Sequence, residues 1–269
     1  MLTDAGQSVN VAARRGDASP RYVAVGVHAA TAFLAARPAD IDHVMLSHEA
    51  PDAIFRQAKE LRVAVQAVER TALDHVAMGI PHQGVIAIGR PPPSRSIEEL
   101  VRAKPDVVLV LDEVTDPRNV GALMRSAEAA GAGAVVLARD RAPQLSPALV
   151  KAAAGAVEWL TLVRVVNIAR TLEALQEAGY WTIGLAGEAE ESLYGCGAVP
   201  GLPAALVVGS EGDGLRPLVR RACHRLLHIP MLGHTSSLNV SVAAAIALFE
   251  LRRSATDRVV GGARGPTKP

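Results

Sequence analysis

The sequence predicts an α/β protein, a mostly parallel sheet domain flanked by helices and preceded by a smaller α/β domain. Three observations carry this. Short apolar runs alternate with amphipathic stretches along most of the chain, and several runs are too continuous for a strand with one wet face. Three consecutive prolines, Pro91-Pro92-Pro93, interrupt the alternation once and divide it into a short and a long block. Hydrophobic residues make up 49% of the 269 residues and charged residues 20%, which supports a packed core and excludes wholesale disorder.

The elements follow in order. Residues 1–20 are polar and contain Gly, Asp and Arg, as in a flexible arm. The first block, residues 21–90, has apolar runs at 22–27, 43–46, 63–68 and 85–88 with a helix over 51–61, a pattern of βαβ units. Pro51 before Asp52 suits the start of that helix, where the missing N–H is no loss. A proline-containing linker spans 91–105. The second block, 106–256, opens with Val107-Val108-Leu109-Val110-Leu111, a β-branched run expected of a fully buried strand. Helix over 121–130 and strand over 134–137 follow, then helix near 146–153 and strand over 159–163. A helix capped by Asn167 comes next, with strands over 181–185 and 205–208, a helix from Leu215, a strand over 226–229 and a final helix over 240–252. Residues 257–269 are rich in Gly, Pro, Arg and Lys and read as a disordered tail.

Charge and cysteine usage narrow the partners. Lys and Arg number 28 against 27 Asp and Glu, so a polyanion would have to be met by a local patch rather than by the whole surface. Cys196 and Cys223 stand far apart without CxxC or Cys/His spacing, which excludes a disulfide scaffold and a cysteine zinc cluster and fits a reducing cytoplasm. The most apolar early stretch, 23–36, contains His28 and is too short to span a bilayer, so no membrane role is expected.

Open parallel sheets bind ligands at the carboxyl ends of their strands, and three such ends carry unusual polar clusters. Asp112-Glu113-Val114-Thr115-Asp116-Pro117-Arg118-Asn119 follows the first strand of the second block, with Arg125 six residues beyond Asn119. Asn119 there is either a helix cap or a cleft residue. Gly209-Ser210-Glu211-Gly212-Asp213-Gly214 permits positive φ and close backbone approach, but it is neither a Walker A loop nor a GxGxxG fingerprint. Its Glu211 is a solvated carboxylate or the partner of a cation such as Arg125. Ile229-Pro230-Met231 leads into Ser236-Ser237-Leu238-Asn239-Val240-Ser241, more hydrogen-bonding groups than capping one helix requires.

Taken together, Asn-x5-Arg, Gly-Ser-Glu-Gly-x-Gly and Ile-Pro-Met…Ser-Leu-Asn-Val-Ser resemble the three motifs of the SpoU–TrmH family of RNA ribose 2′-O-methyltransferases, over roughly residues 107–253. Gly26-Val27-His28-Ala29 and His82-Gln83-Gly84-Val85 are similar to that family's small N-terminal RNA-recognition domain. Asp140-Arg141-Ala142-Pro143-Gln144-Leu145 and Ala186-Gly187-Glu188-Ala189 resemble the bacterial branch that methylates a guanosine of 23S rRNA. A tRNA ribose as substrate, a non-catalytic RNA-binding protein of this fold and a generic α/β nucleotide-binding enzyme are the alternatives.

The resemblance implies a trefoil-knotted domain, a homodimer packed through the knots, and S-adenosyl-L-methionine bound against Gly209, Ile229 and Leu238. It also implies that Arg125 acts on the ribose hydroxyl while Asn119, Glu211, Ser237 and Asn239 position Arg125, the ribose or its phosphate. The sulfonium methyl is already activated, so no metal is required. A guanidinium stays protonated at accessible pH, so Arg125 is better read as a donor to the adjacent phosphate that polarises the hydroxyl than as a base. For RNA, the loop residues Arg118, Arg139 and Arg141 border the expected pocket. Arg216, Arg220, Arg221 and Arg225, with His224 and His228, are expected to form a basic helical surface. The final helix offers Ala243, Ala244, Ala245 and Ala247 either to a second copy or to its own core. His28 and His82 are given core or capping roles.

Overall fold

The computed structural model describes residues 21–195 and 201–262. The arm expected over 1–20 and the tail beyond Gly262 lie outside the described residues. The N-terminal unit comprises β1 (Tyr22–Val25), α1 (Val27–Ala36), β2 (Ile41–Leu46), α2 (Asp52–Glu60), β3 (Val65–Ala67), α3 (Arg70–Ala77) and β4 (Val85–Gly89). Its sheet has the order β1-β4-β2-β3. Only β2–α2–β3 is a parallel βαβ unit; β4 runs antiparallel to both β1 and β2. The βαβ expectation for this block therefore holds for one of its halves. His82 is buried: its Nδ1 accepts from the Gly84 N–H at 3.0 Å, so Nε2 carries the proton and faces Asp74 at 2.9 Å. It locks the turn into β4, in keeping with a capping role.

From Ser94 onward the chain belongs to the second unit. It comprises β5 (Ser94–Arg95), α4 (Ile97–Ala103), β6 (Val107–Leu111), α5 (Pro117–Ala129), β7 (Ala134–Ala138), α6 (Pro147–Ala153), β8 (Thr161–Val165) and α7 (Ile168–Glu177), followed by β9 (Trp181–Leu185), β10 (Glu191–Ser192), β11 (Ala204–Val208), α8 (Pro217–Arg221), β12 (Arg225–His228) and α9 (Val240–Gly262). Among the described residues its sheet has the order β10-β12-β9-β11-β6-β7-β8-β5, with every pairing parallel. β6, β7 and β11 are buried at every position, as their continuous aliphatic runs require.

Three boundaries differ from expectation. The linker is shorter than 91–105, because β5 pairs with β8 and α4 buries Leu100 in the second core; Ser96 and Glu99 close a capping box that starts this helix. Helix α5 begins at Pro117 rather than at Gly121, since Asp116 caps it and proline fits the first turn. Helix α9 continues past 256 to Gly262, there being no glycine or proline to stop it earlier.

The two units share one core. Tyr22, Ala24, Ala29 and Phe33 pack in a single cluster with Leu149, Val150, Ala153 and Val157. At its edge Glu158, whose side chain is 1% exposed, accepts from the Tyr22 hydroxyl at 2.6 Å and from Arg37 Nε at 2.9 Å. The Arg37 guanidinium lies 4.6 Å from the Phe33 ring centroid. Burial first, then the Glu158 charge and hydrogen bond, push the Tyr22 phenol well above its ordinary range.

Candidate functional site

Strands β6, β7 and β8 follow one another to one side of β6, whereas β11 and β9 lie on its other side. The crevice at the carboxyl ends of β6 and β11 is thus a topological switch point, where open sheets bind ligands. Asp112, fully buried directly after β6, holds the opposite loop. Its Oδ2 accepts from the Arg216 backbone N–H at 2.9 Å and its Oδ1 from Arg216 Nε at 2.8 Å. Glu113 joins the same guanidinium at 3.1 Å. The hydrogen bond to Asp112 raises the pKa of Arg216, while burial and the Asp112 charge push the neighbouring Cys223 thiol up to about 12. Arg216 is therefore a structural cation that fixes the loop containing Glu211 over the strand that leads to Asn119.

Three side chains from the three clusters meet in a ring. Asn119 Nδ2 donates to Glu211 Oε1 at 2.8 Å, Asn239 Nδ2 donates to the same oxygen at 2.6 Å, and Asn239 Nδ2 also reaches Asn119 Oδ1 at 3.1 Å. Asn239 Oδ1 accepts from the Ser241 N–H at 2.9 Å and from its hydroxyl at 2.5 Å, so the amide's orientation is fixed at both ends. Asn239 caps α9 and joins the ring at once. Asn119, freed from capping by Asp116, sits in the first turn of α5 with its side chain turned to Glu211. Of the two readings of Glu211, a solvated carboxylate or the partner of a cation such as Arg125, neither describes it fully: among the described residues its partners are the two amides.

Beside the ring lies a cleft of about 170 Å³ lined by Leu185, Gly187, Gly209, Ile229, Ser237 and Leu238, among others. Gly209 is required there: a Cβ would overlap the backbone of Gly214 and Leu215, across the narrow bridge from Ser210 to Gly214. The structure thus brings Gly209, Glu211, Ile229, Ser237 and Leu238 to one cleft and joins Asn119 and Asn239 to it through Glu211. Arg125 stands apart, exposed on α5, with no hydrogen bond or ion pair among the described residues.

The expected RNA cations are engaged otherwise. Arg118 pairs with Asp116 at 3.3 Å, Arg139 with Asp140 at 3.3 Å, and Arg141 with Glu113, all at the surface. The Arg118 backbone N–H, with its side chain, lowers the Asp116 pKa. The basic helical surface does not form, because α8 is only five residues long. Arg216 precedes it and is spent on Asp112, Arg220 pairs with Glu188, and Arg225 lies on β12 facing Glu191. His224 is bound to Thr182. Neither the Asp112–Arg216 clamp nor the contribution of 185–187 is explicit in the motifs, although Ala186-Gly187 follows a strand end as the other clusters do.

Fold and site together define a parallel α/β protein that binds a small ligand at a switch point built from three strand-end loops. Residues 106–249 match the model of the SpoU rRNA Methylase family, and residues 23–95 match that of the RNA 2′-O ribose methyltransferase substrate-binding domain. The chain belongs to the SpoU rRNA Methylase family. It is 44% identical over 238 residues to the 23S rRNA (guanosine-2′-O-)-methyltransferase RlmB of Photobacterium profundum, covering 85% of this chain and 96% of that one. The Vibrio cholerae protein of the same name is 43% identical, with 85% and 95% covered. Among solved structures, the AdoMet complex of the SpoU methyltransferase AviRb from Streptomyces viridochromogenes superposes with a TM-score of 0.73 at 24% identity, over 90% of this chain and 92% of that chain. A structure titled RNA 2′-O ribose methyltransferase gives 0.71 at 27% identity, over 87% and 88%.

Proposed function

We propose that this protein transfers the methyl group of S-adenosyl-L-methionine to the ribose 2′-hydroxyl of a guanosine in 23S rRNA. The observation that carries the reading is the Asn119–Glu211–Asn239 ring, which joins three distant segments beside an apolar cleft. The activity named for relatives above 40% identity, matched along nearly their whole length, supports the same substrate. The cleft fits the cofactor in kind. Its apolar floor of Leu185, Ile229 and Leu238 suits an adenosine, and Gly187 and Gly209 leave backbone groups uncovered.

When bound, the cofactor supplies a methyl carbon already activated by its sulfonium. The chain's own residues then align the acceptor. Glu211 is held by two amides on one oxygen and is thus set in place before substrate arrives, and Ser237 lines the cleft beside it. Arg125 donates to the phosphate next to the target ribose and polarises its hydroxyl.

A second copy completes the site in this reading. Val242 and Phe249, seven residues apart on the outer stripe of α9, are 47% and 54% exposed, while Ala244, Ala247, Leu248 and Leu251 face the chain's own core. Of the alanines considered for dimer packing, Ala244 and Ala247 thus serve the core, and the stripe left for a partner is Val242–Phe249. Helix α9 packs on α5, which carries Arg125, so a partner over this stripe would come close to the helix that bears that guanidinium. The position of β12 between β9 and β10 supports the knotted path. Arg118, Arg139 and Arg141 exchange their surface carboxylates for RNA phosphates, so binding weakens steeply with salt. No helix among the described residues is long and apolar enough to cross a membrane; action on ribosomal RNA supports a cytoplasmic location.

The test is a map of 2′-O-methyl groups on 23S rRNA from cells with and without the gene. One guanosine should lose its methyl group in the deletion strain and regain it on complementation. An unchanged map would refute the assignment.

A further inference from the structure

A second cavity, of about 550 Å³, opens in the N-terminal unit and shares no residue with the strand-end crevice. It is lined by Ser47, His48, Asp52, Phe55, Glu69 and the edge of β3. We propose that this cavity binds one unstacked nucleobase of the RNA, with Phe55 as its stacking face and the carboxylates and the β3 backbone reading its edge. The proposal rests on the reading that the chain acts on RNA, and it names a contact away from the ribose being methylated.

Size and surface chemistry converge on a base. The volume lies within the roughly 300–1,000 Å³ of small-molecule sites. Phe55 is one of only three phenylalanines in the chain, yet it is 47% exposed at the cavity instead of being used in an aromatic-poor core. An exposed aromatic face in an RNA-handling domain is what base stacking uses.

The β3 backbone supplies the reading groups. β3 is the last strand of its sheet. The Val44 N–H bonds to the Ala64 carbonyl and the Val68 N–H to the Leu46 carbonyl, so residues 64, 66 and 68 face β2. By alternation, the N–H and C=O groups of Val65 and Ala67 point away from β2, and both residues line the cavity. These groups are the donor and acceptor pair that the edge of a base requires.

Charge then separates base from phosphate. Asp52 and Glu69 would repel an anion seated in the cavity. As acceptors they suit amino and imino hydrogens, and guanine offers N1–H and N2–H₂ side by side. Arg70, which begins α3 directly after the lining residue Glu69, is already paired with Glu49 at 2.7 Å. It suits the flanking backbone rather than the cavity itself.

The test uses the full-length protein, a 23S rRNA transcript and labelled S-adenosylmethionine. Phe55→Ala should raise KM for RNA by about five- to 150-fold, the range that alanine substitution of a base-stacking aromatic gives, and should leave kcat within about twofold. Phe55→Trp should restore KM, and Asp52→Asn should raise it. Because Phe55 is half exposed, the melting temperature of Phe55→Ala should stay near that of the parent. In parallel, guanosine 5′-monophosphate titrated into isotope-labelled protein should shift amide resonances between residues 47 and 69 more than uridine 5′-monophosphate does. If the transcript is methylated with an unchanged KM in Phe55→Ala, or if the nucleotides perturb only the strand-end crevice, the base site is refuted while the enzymatic reading stands. Absence of methylation by the parent protein would refute that reading instead, and the nucleotide titration alone would then decide the cavity. A cavity that takes an extended peptide on β3 would shift the same amides with peptide and not with guanosine monophosphate, and so would also overturn the proposal.

Discussion

Asn239 separates two roles that one side chain performs, and two substitutions isolate them. Its Oδ1 caps α9 through Ser241, and its Nδ2 bonds Glu211 at 2.6 Å. Asn239→Ala removes both. Loss of the cap costs about 1 kcal/mol, and loss of a hydrogen bond to a charged but exposed acceptor adds about 1 more. Asn239→Asp keeps an oxygen for the Ser241 N–H but sets a second carboxylate against Glu211. At about 4 Å after relaxation, two such charges repel by about 1 kcal/mol in water-like surroundings and about 4 at the effective dielectric of a protein surface. At about 2–4 °C per kcal/mol for a chain of this size, Asn239→Ala should melt about 4–8 °C low at pH 7. The pH dependence is what distinguishes the variants. The new carboxylate pair has a raised folded-state pKa, because one shared proton relieves the repulsion. Asn239→Asp should therefore regain stability and cofactor affinity as pH falls from 7 toward 5, whereas Asn239→Ala should not. Differential scanning fluorimetry and calorimetry with S-adenosylmethionine across that range provide the readout. Equal pH profiles for the two variants would show that the ring does not form in solution.

Three further outcomes follow from the geometry. Glu158→Ala should destabilise the protein by about 2–3 kcal/mol, because it leaves the buried Tyr22 hydroxyl without its acceptor and takes one of two carboxylates from the largely buried Arg37, which keeps Asp40; urea denaturation measures this, and a loss below about 1 kcal/mol would mean that the joint is open in solution. Tyr22 has a raised folded-state pKa, so its contribution is complete below the ordinary phenol pKa of about 10 and is lost as pH rises above it; absorbance at 295 nm should show Tyr22 and Tyr180, the latter pushed up to about 12 chiefly by burial, resisting ionisation until the fold opens. Gly209→Ala should weaken cofactor binding at least tenfold, since its Cβ has no room beside Gly214, and calorimetry showing unchanged affinity would contradict the cleft assignment.

Much of the second unit was legible because its strands announce themselves as uninterrupted aliphatic runs, and because local polar clusters mark where those strands end. What local pattern could not convey was pairing at a distance. Arg216 reads as one of a run of surface arginines until Asp112, 104 positions away, is found beneath it. The mixed order of the N-terminal sheet was hidden for the same reason: β4 reads as a strand, but its direction is settled by neighbours on either side. Asn119 looked like a cap because asparagine caps helices, and Asp116 three residues earlier already had that place. Arg125 remains outside the ring, since nothing on a single copy draws an exposed guanidinium toward Glu211.

Delivery of a methyl group to a ribose oxygen beside Arg125 is the reaction for which the three loops converge. Its most direct test is transfer of labelled methyl from S-adenosylmethionine to a 23S rRNA transcript, followed by digestion to nucleosides and separation. The label should appear in 2′-O-methylguanosine, and Arg125→Ala should abolish it while binding the cofactor as the parent does. Label on a base, or near-normal turnover by Arg125→Ala, would contradict the account.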